Sequence, residues 1–112
     1  MKMKKTINNS EITVVIVLYK ETFELISKTL SNLTSFKIII IDNDNNLHLK
    51  KKIEALFEIQ TYILNKNNIG FSAGYNQGIK LSNTSFTLVL GPDCIIFEED
   101  ILLLKSKLLS YS

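Results

Sequence analysis

The feature that most constrains this chain is a run of β-branched residues over positions 12–18, Ile-Thr-Val-Val-Ile-Val-Leu. A strand with one face in water alternates apolar and polar residues, and this run does not alternate. It therefore predicts a strand buried on both faces, as in a parallel sheet. Residues 36–41 and 86–90 predict two more buried strands, and residues 59–64 predict another.

Segments with helical periodicity lie between and after these strands. Thr22 can cap a helix in which apolar residues recur at intervals of three and four up to about residue 34. Further helices are predicted over residues 49–57, 71–81 and 98–109. Strands that alternate with helices over short connections predict an α/β fold, a Rossmann-like parallel sheet with right-handed crossovers.

The length of 112 residues suits one domain, which we assign to residues 12–112, with residues 1–11 as an N-terminal tail. One cysteine excludes a disulfide scaffold. One histidine and one cysteine cannot build a Cys/His zinc site.

The 13 basic residues are all lysine, so the Arg forks typical of groove and phosphate readers are missing and we expect no nucleic-acid partner. No apolar run approaches the roughly 20 residues that span a bilayer. We therefore expect a cytoplasmic protein or one bound peripherally at the inner face of the membrane.

Ligands of such sheets bind beyond the carboxyl ends of the strands, where the strand order switches. The residues at these ends are Tyr19 and Lys20, the polar run Asp42–Asn46, and Gly91–Asp93. Asp42 and Asp93 are the candidate ligand-binding acids, although an aspartate at either position also suits a simple turn.

The helix predicted over residues 71–81 contains Gly74 and Gly78, each of which costs up to about 1 kcal/mol relative to alanine. Two glycines in one helix indicate close packing or ligand approach. Phe71 and Tyr75, on the same helix, are expected in the core.

Four motifs occur in a fixed order along the chain: Val14–Lys20, Ile41–Asn43, Asn68–Ile79 and Leu90–Asp93. Together they resemble family 2 glycosyltransferases, and within these the rhamnosyltransferase-like branch. The resemblance implies the N-terminal half of a GT-A fold, which binds a nucleotide-diphospho-sugar.

Carried over by position, the resemblance places Tyr19 along the base and ribose of the nucleotide. Asp42 would accept a hydrogen bond from a pyrimidine N–H. Asp93 would hold a divalent cation, Mg²⁺ or Mn²⁺, against the diphosphate. The other residues implied for the nucleotide-sugar pocket are Asn68, Gly70 and Asn76.

The sequence departs from the family pattern in two places. Gly91 stands where the related branch has an asparagine, which removes one side chain from the metal motif, and Cys94 beside it is expected to be a small buried residue. No carboxylate matches the catalytic base of the family's second half, so no catalytic residue is assigned. Acids at 98–100 fit the first turn of a helix instead.

The resemblance implies that the donor is a dTDP- or UDP-sugar and that the acceptor is a glycan or lipid-linked glycan. It also implies a role in polysaccharide biosynthesis. One alternative is a catalytically inactive α/β module that keeps the fold for nucleotide binding or protein interaction. A phospho-acceptor receiver domain is disfavoured, because Tyr19 and Lys20 stand where it needs acids.

An edge at the fourth strand and apolar surface on the last helix predict self-association.

Overall fold

The computed structural model describes residues 11–110, in which four strands alternate with four helices. The strands are β1 (Ile12–Leu18), β2 (Lys37–Asp42), β3 (Thr61–Leu64) and β4 (Phe86–Leu90). The helices are α1 (Phe23–Ser31), α2 (Leu47–Leu56), α3 (Phe71–Leu81) and α4 (Glu98–Ser110). The predicted α/β alternation is confirmed, whereas residues 1–10 of the tail predicted over residues 1–11 lie outside the described residues.

The strands form one parallel sheet in the order β3-β2-β1-β4. β1 is central, and all seven of its residues are buried, as its unbroken β-branched sequence predicts. The chain builds outward from β1 through β2 to β3 and then crosses to the other side of β1 for β4. The strand order therefore switches between β1 and β4, and this is where the fold offers a ligand crevice.

The helices divide unequally between the two faces of the sheet. On one face, Val14, Ile16 and Leu18 share a core with Ile26 of α1, and the same core includes residues of α2 and α4. Thr22 caps α1 as predicted, accepting a hydrogen bond from the N–H of Leu25. The opposite face has a smaller core, which consists of Val15, Val17, Ile39 and Ile41 with Ile63 and Tyr75 packed against them.

Helix α3 covers this second face through its glycines. A Cβ atom on Gly78 would lie 2.3 Å from Cγ1 of Val15, and one on Gly74 would lie 3.0 Å from Cγ1 of Val17. The predicted close packing of this helix is therefore confirmed. Because Gly78 packs against Val15 and Gly74 against Val17, the first turn of α3 lies beyond the carboxyl end of β1. Phe71 in that turn is 50% exposed, and the prediction that it lies in the core is wrong.

Glu11, which sequence analysis assigned to the tail, is joined to the domain. Its carbonyl accepts a hydrogen bond from the N–H of Phe86, and its carboxylate lies 3.0 Å from Nζ of Lys105. β4 is an edge strand among the described residues. Leucines at 103, 104, 108 and 109 of α4 are between 46% and 55% exposed, and self-association through this region stays a prediction.

Between residues 11 and 110, none of the helices combines the length and apolarity that a membrane span requires.

Candidate functional site

The carboxyl end of β1 contributes a tight turn formed by Tyr19, Lys20 and Glu21. Lys20 has a φ of 65°, in the left-handed region that a side chain disfavours. Its ammonium lies 5.2 Å from the centre of the Tyr19 ring. A carboxylate oxygen of Glu21 accepts a hydrogen bond from the N–H of Tyr19. The carboxylate thus closes the turn that carries Tyr19 at the switch point of the sheet.

The carboxyl end of β2 is fixed by Asp42, whose side chain is 1% exposed. Its Oδ1 accepts a hydrogen bond from the N–H of Asp44 at 2.8 Å, and its Oδ2 accepts one from the hydroxyl of Tyr62 at 2.9 Å. Burial, followed by the charge of Asp42 and this hydrogen bond, raises the pKa of Tyr62. Both carboxylate oxygens of Asp42 therefore have partners within the chain. Contact between Asp42 and a nucleotide base stays a prediction.

The carboxyl end of β4 presents Asp93 on an exposed turn in which the N–H of Cys94 donates to the carbonyl of Gly91 at 3.1 Å. The buried hydroxyl of Thr29 on α1 donates to the carbonyl of Pro92 at 2.7 Å. This contact fastens the turn beside the end of β1. Cys94 is exposed, so the expectation that it is buried is wrong: it lies on the exposed turn after β4 and not in the core.

Glu21 lies within the electrostatic influence of carboxylates from two other strand ends. Burial raises the pKa of Glu21, and the negative charges of Asp42 and Asp93 raise it further. Hydrogen bonds from the N–H groups of Tyr19 and Glu21 itself oppose this rise. Sequence analysis missed Glu21. The available signal was its position in the turn that follows β1, at the end of a central strand.

Tyr75 connects α3 to the same edge. Its hydroxyl donates to the carbonyl of Leu90, the last residue of β4, at 2.7 Å. Burial raises its pKa, and the nearby charges of Glu21 and Asp93 add to the rise, while a hydrogen bond with the backbone of Val17 opposes it. The phenol therefore donates as a neutral group and joins the helix to the strand that carries Asp93.

Asn68 and Gly70 form the loop that enters α3. Oδ1 of Asn68 accepts a hydrogen bond from the N–H of Gly70 at 2.9 Å, and the Gly70 carbonyl accepts one from Nδ2 of Asn43 at 3.0 Å. This loop is therefore attached to the end of β2. Asn76 lies apart, on a groove of about 560 Å³ that it shares with Ile63 of β3. The structure does not bring Asn76 to Asp93, and its predicted role stays a prediction.

The donor set suits a hard cation only in company with a phosphate. No group of three or more His, Cys, Asp or Glu side chains gathers in the described part of the chain. Asp93 and Glu21 offer carboxylate oxygens, and Mg²⁺ is commonly held by one or two carboxylates together with substrate phosphates and water. The residues therefore fit such a cation if diphosphate oxygens complete its coordination.

A cavity of about 320 Å³ lies far from this edge. It is lined by residues at the amino ends of β2 and β3, among them Lys37 and Gln60. The carboxyl end of a parallel sheet is where such folds bind ligands, so this cavity is not the candidate site.

Comparison with known proteins agrees with this fold. A crystal structure of S. aureus TarS residues 1–349 superposes with a TM-score of 0.67 at 20% identity, over 86% of this chain and 31% of that one. A second S. aureus TarS crystal structure gives a TM-score of 0.66 at 19% identity, over 87% of this chain and 20% of that one. The chain thus spans less than a third of either neighbour. These likenesses show the α/β arrangement of a GT-A fold.

A search of curated proteins found no matching sequence. The model of glycosyl transferase family 2, in contrast, matches residues 13–110, nearly all of the chain. The chain belongs to glycosyl transferase family 2.

Proposed function

We propose that this chain binds the nucleotide-diphospho-sugar donor of a glycosyltransferase, at the carboxyl edge of β1 and β4. The observation that carries the proposal is the placement of Tyr19, Glu21 and Asp93 on the turns that follow the paired strands β1 and β4, at the switch point of the sheet. Crevices of this kind take nucleotides in parallel α/β folds. The family match supports glycosyl transfer in general, and the acceptor in this proposal is a glycan or lipid-linked glycan.

Each side chain has a separate task in this proposal. Tyr19 offers a ring for the base and ribose, beside the Lys20 ammonium that stacks on it. Asp93, with Glu21 at the same edge of the sheet, would hold Mg²⁺ or Mn²⁺ at the diphosphate. A cation bound there neutralises the charge that develops on the departing nucleoside diphosphate. Asp42 orients the end of β2 through its hydrogen bonds to Asp44 and Tyr62.

The donor is a dTDP- or UDP-sugar in this proposal, because the rhamnosyltransferase-like motifs favour a pyrimidine nucleotide. Its work belongs to polysaccharide biosynthesis in the cytoplasm or at the inner face of the membrane. The acceptor and the base that deprotonates it are assigned to no described residue.

The test is a thermal melt of the full chain against UDP, dTDP and GDP, each with and without Mn²⁺. Ligand at 100 times its Kd stabilises the folded state by about 2.7 kcal/mol. We expect a Mn²⁺-dependent rise in Tm with UDP or dTDP that Asp93→Asn abolishes. The matched control is Glu58→Gln, which removes one carboxylate at the opposite end of the sheet.

The opposite outcome is equally clear. A cooperative melt that none of the nucleotides shifts, with or without Mn²⁺, contradicts donor binding. It supports the alternative of an inactive α/β module used for protein interaction. Gly91 favours that alternative, because it removes from the metal motif the asparagine side chain that the related branch has there.

A further inference from the structure

Three amide side chains form a connected hydrogen-bond network beside the candidate site. Nδ2 of Asn65 lies 2.9 Å from Oδ1 of Asn43 and 2.9 Å from Oε1 of Gln77, and donates to both. Nε2 of Gln77 donates back to Oδ1 of Asn65 at 3.2 Å. The network therefore connects the ends of β2 and β3 to the middle of α3.

At one end of this network, the side-chain amide of Asn43 donates a hydrogen bond to the backbone of Gly70. Nδ2 of Asn43, a side chain only 3% exposed, donates to the Gly70 carbonyl at 3.0 Å. Gly70 has φ 86° and ψ 168°, a region of backbone space that is essentially restricted to glycine. The same carbonyl accepts the N–H of Gly74, at 3.1 Å. The amide of Asn43 therefore reinforces an unusual backbone conformation at the entry to α3.

Helix α3 also has contacts with the sheet outside this network. Gly74 and Gly78 seat the helix against Val17 and Val15, and the Tyr75 hydroxyl ties it to β4. The network adds a hydrogen bond from the end of β2 to the loop at 68–70, through Asn43 and the Gly70 carbonyl. Buried amides are kept in a protein when their hydrogen bonds are satisfied, and these are satisfied by one another and by Gly70.

We propose that Asn43, Asn65 and Gln77 are positioning residues that hold the Asn68–Gly70 loop in place for donor binding. The inference rests on the proposed function, in which this loop lines the nucleotide-sugar pocket. None of the three side chains needs to touch the donor. They act through the Gly70 carbonyl, and the loop they hold is attached to the strand ends that carry the rest of the site.

The test measures nucleotide affinity by calorimetry on the full chain in Mn²⁺, with UDP and dTDP as probes. Asn43→Asp keeps the shape of the side chain but replaces its donor to Gly70 with an acceptor. Asn65→Ala and Gln77→Ala remove hydrogen bonds of the network that lie farther from Gly70. Each variant is expected to bind about tenfold more weakly, the loss associated with one hydrogen bond of ordinary strength. Gln60→Ala, an exposed amide at the other end of β3, is the control and keeps the wild-type affinity.

A rescue experiment separates positioning from general destabilisation. The double variant Asn65→Gln with Gln77→Asn exchanges the two side chains and keeps the same number of methylene groups between the backbones. It is expected to recover most of the affinity lost in the single variants. All measurements are made well below the Tm of every variant, where a purely structural weakening leaves affinity unchanged. Single variants that bind within twofold of wild type overturn the proposal.

Hydrogen exchange distinguishes failure of this inference from failure of the proposed function. The readout is the amide of Gly74, whose N–H is bonded to the carbonyl that Asn43 holds. If the wild-type chain binds neither nucleotide, the proposed function fails, and the donor-binding role of the network fails with it. Faster exchange at Gly74 in Asn43→Asp than in Gln60→Ala then still supports control of the loop. Equal exchange in the two variants overturns that as well.

Discussion

Replacing Gly78 with alanine tests the packing of α3 on the sheet. The added Cβ would lie 2.3 Å from Cγ1 of Val15, about 1.1 Å short of the 3.4 Å at which ordinary contact begins. Val15 is fully buried in the central strand, so it has little room to move away. Overpacking of this kind costs about 1–3 kcal/mol, and this site lies at the upper end of that range.

The helix propensity of alanine opposes this cost. Alanine is favoured over glycine within a helix by about 1 kcal/mol. The net expectation for Gly78→Ala is therefore a loss of about 2 kcal/mol in the free energy of unfolding. For a domain of this size, that corresponds to a fall in Tm of roughly 8 °C. Urea unfolding followed by circular dichroism gives the free energy directly.

A second substitution gives the reasoning a sharper test. Val15→Ala removes both methyl groups that a Cβ at Gly78 would meet, at a cost of about 2–3 kcal/mol of its own. On that background Gly78→Ala no longer clashes, and it is expected to stabilise the protein by up to about 1 kcal/mol. If Gly78→Ala costs the same with and without Val15, the clash is not the cause of its effect. Gly91→Ala is the control, since its Cβ would meet only Oδ1 of Asp93 at 3.5 Å.

Three further substitutions test the candidate site. The pKa of Glu21 is raised in the folded state, so the free energy of unfolding falls as the pH rises from the unfolded-state pKa of 4.5 through the raised pKa. Glu21→Gln keeps an acceptor for the Tyr19 N–H and should remove this pH dependence from urea unfolding curves. An unchanged pH profile would contradict the assigned burial. Tyr62→Phe removes the donor to Oδ2 of the buried Asp42, and we expect a loss of about 1.5–3 kcal/mol in the unfolding free energy, measured in urea. A loss below about 0.5 kcal/mol would mean that solvent replaces the phenol. Thr29→Val leaves the Pro92 carbonyl without its donor at a cost of about 1 kcal/mol, while Thr29→Ser, the matched control, should keep most of the stability. Equal melts for the two variants would refute the contact.

Much of the fold could be predicted because its signals are local. The bounds of β1 and β4 agree with the sequence prediction. The prediction that β4 is buried is wrong, because Thr87 and Val89 are exposed and only Leu90 is buried. β4 is an edge strand among the described residues, whereas β1 has a strand on each side. β2 was predicted over residues 36–41 but spans Lys37–Asp42. Asp42 belongs to the strand because its backbone pairs with Leu18 and Leu64, although its side chain is typical of a turn.

The site could be predicted only in part. The strand ends that carry Tyr19, Asp42 and Asp93 followed from the rule for parallel sheets and from the family resemblance. Glu21 did not, because its nearness to Asp93 arises from the pairing of β1 with β4, which no local pattern encodes. Asn65 and Gln77 were missed for the same reason, since their contact depends on how α3 lies across the sheet.

The central place of β1 also dictates the order in which the site can assemble during folding. The connection from β1 to β2 is short in sequence, whereas the residues that pair between β1 and β4 lie far apart along the chain. The hydroxyls of Thr13 and Thr84, which hydrogen-bond at 2.6 Å beside that pairing, belong to residues 71 positions apart. Closing a long loop costs more chain entropy than closing a short one, and such contacts slow folding. An intermediate built from the first three strands would contain the Tyr19 turn and Asp42 but would lack Asp93. Nucleotide added during refolding would therefore act only on the last step, by trapping the state in which β4 has docked.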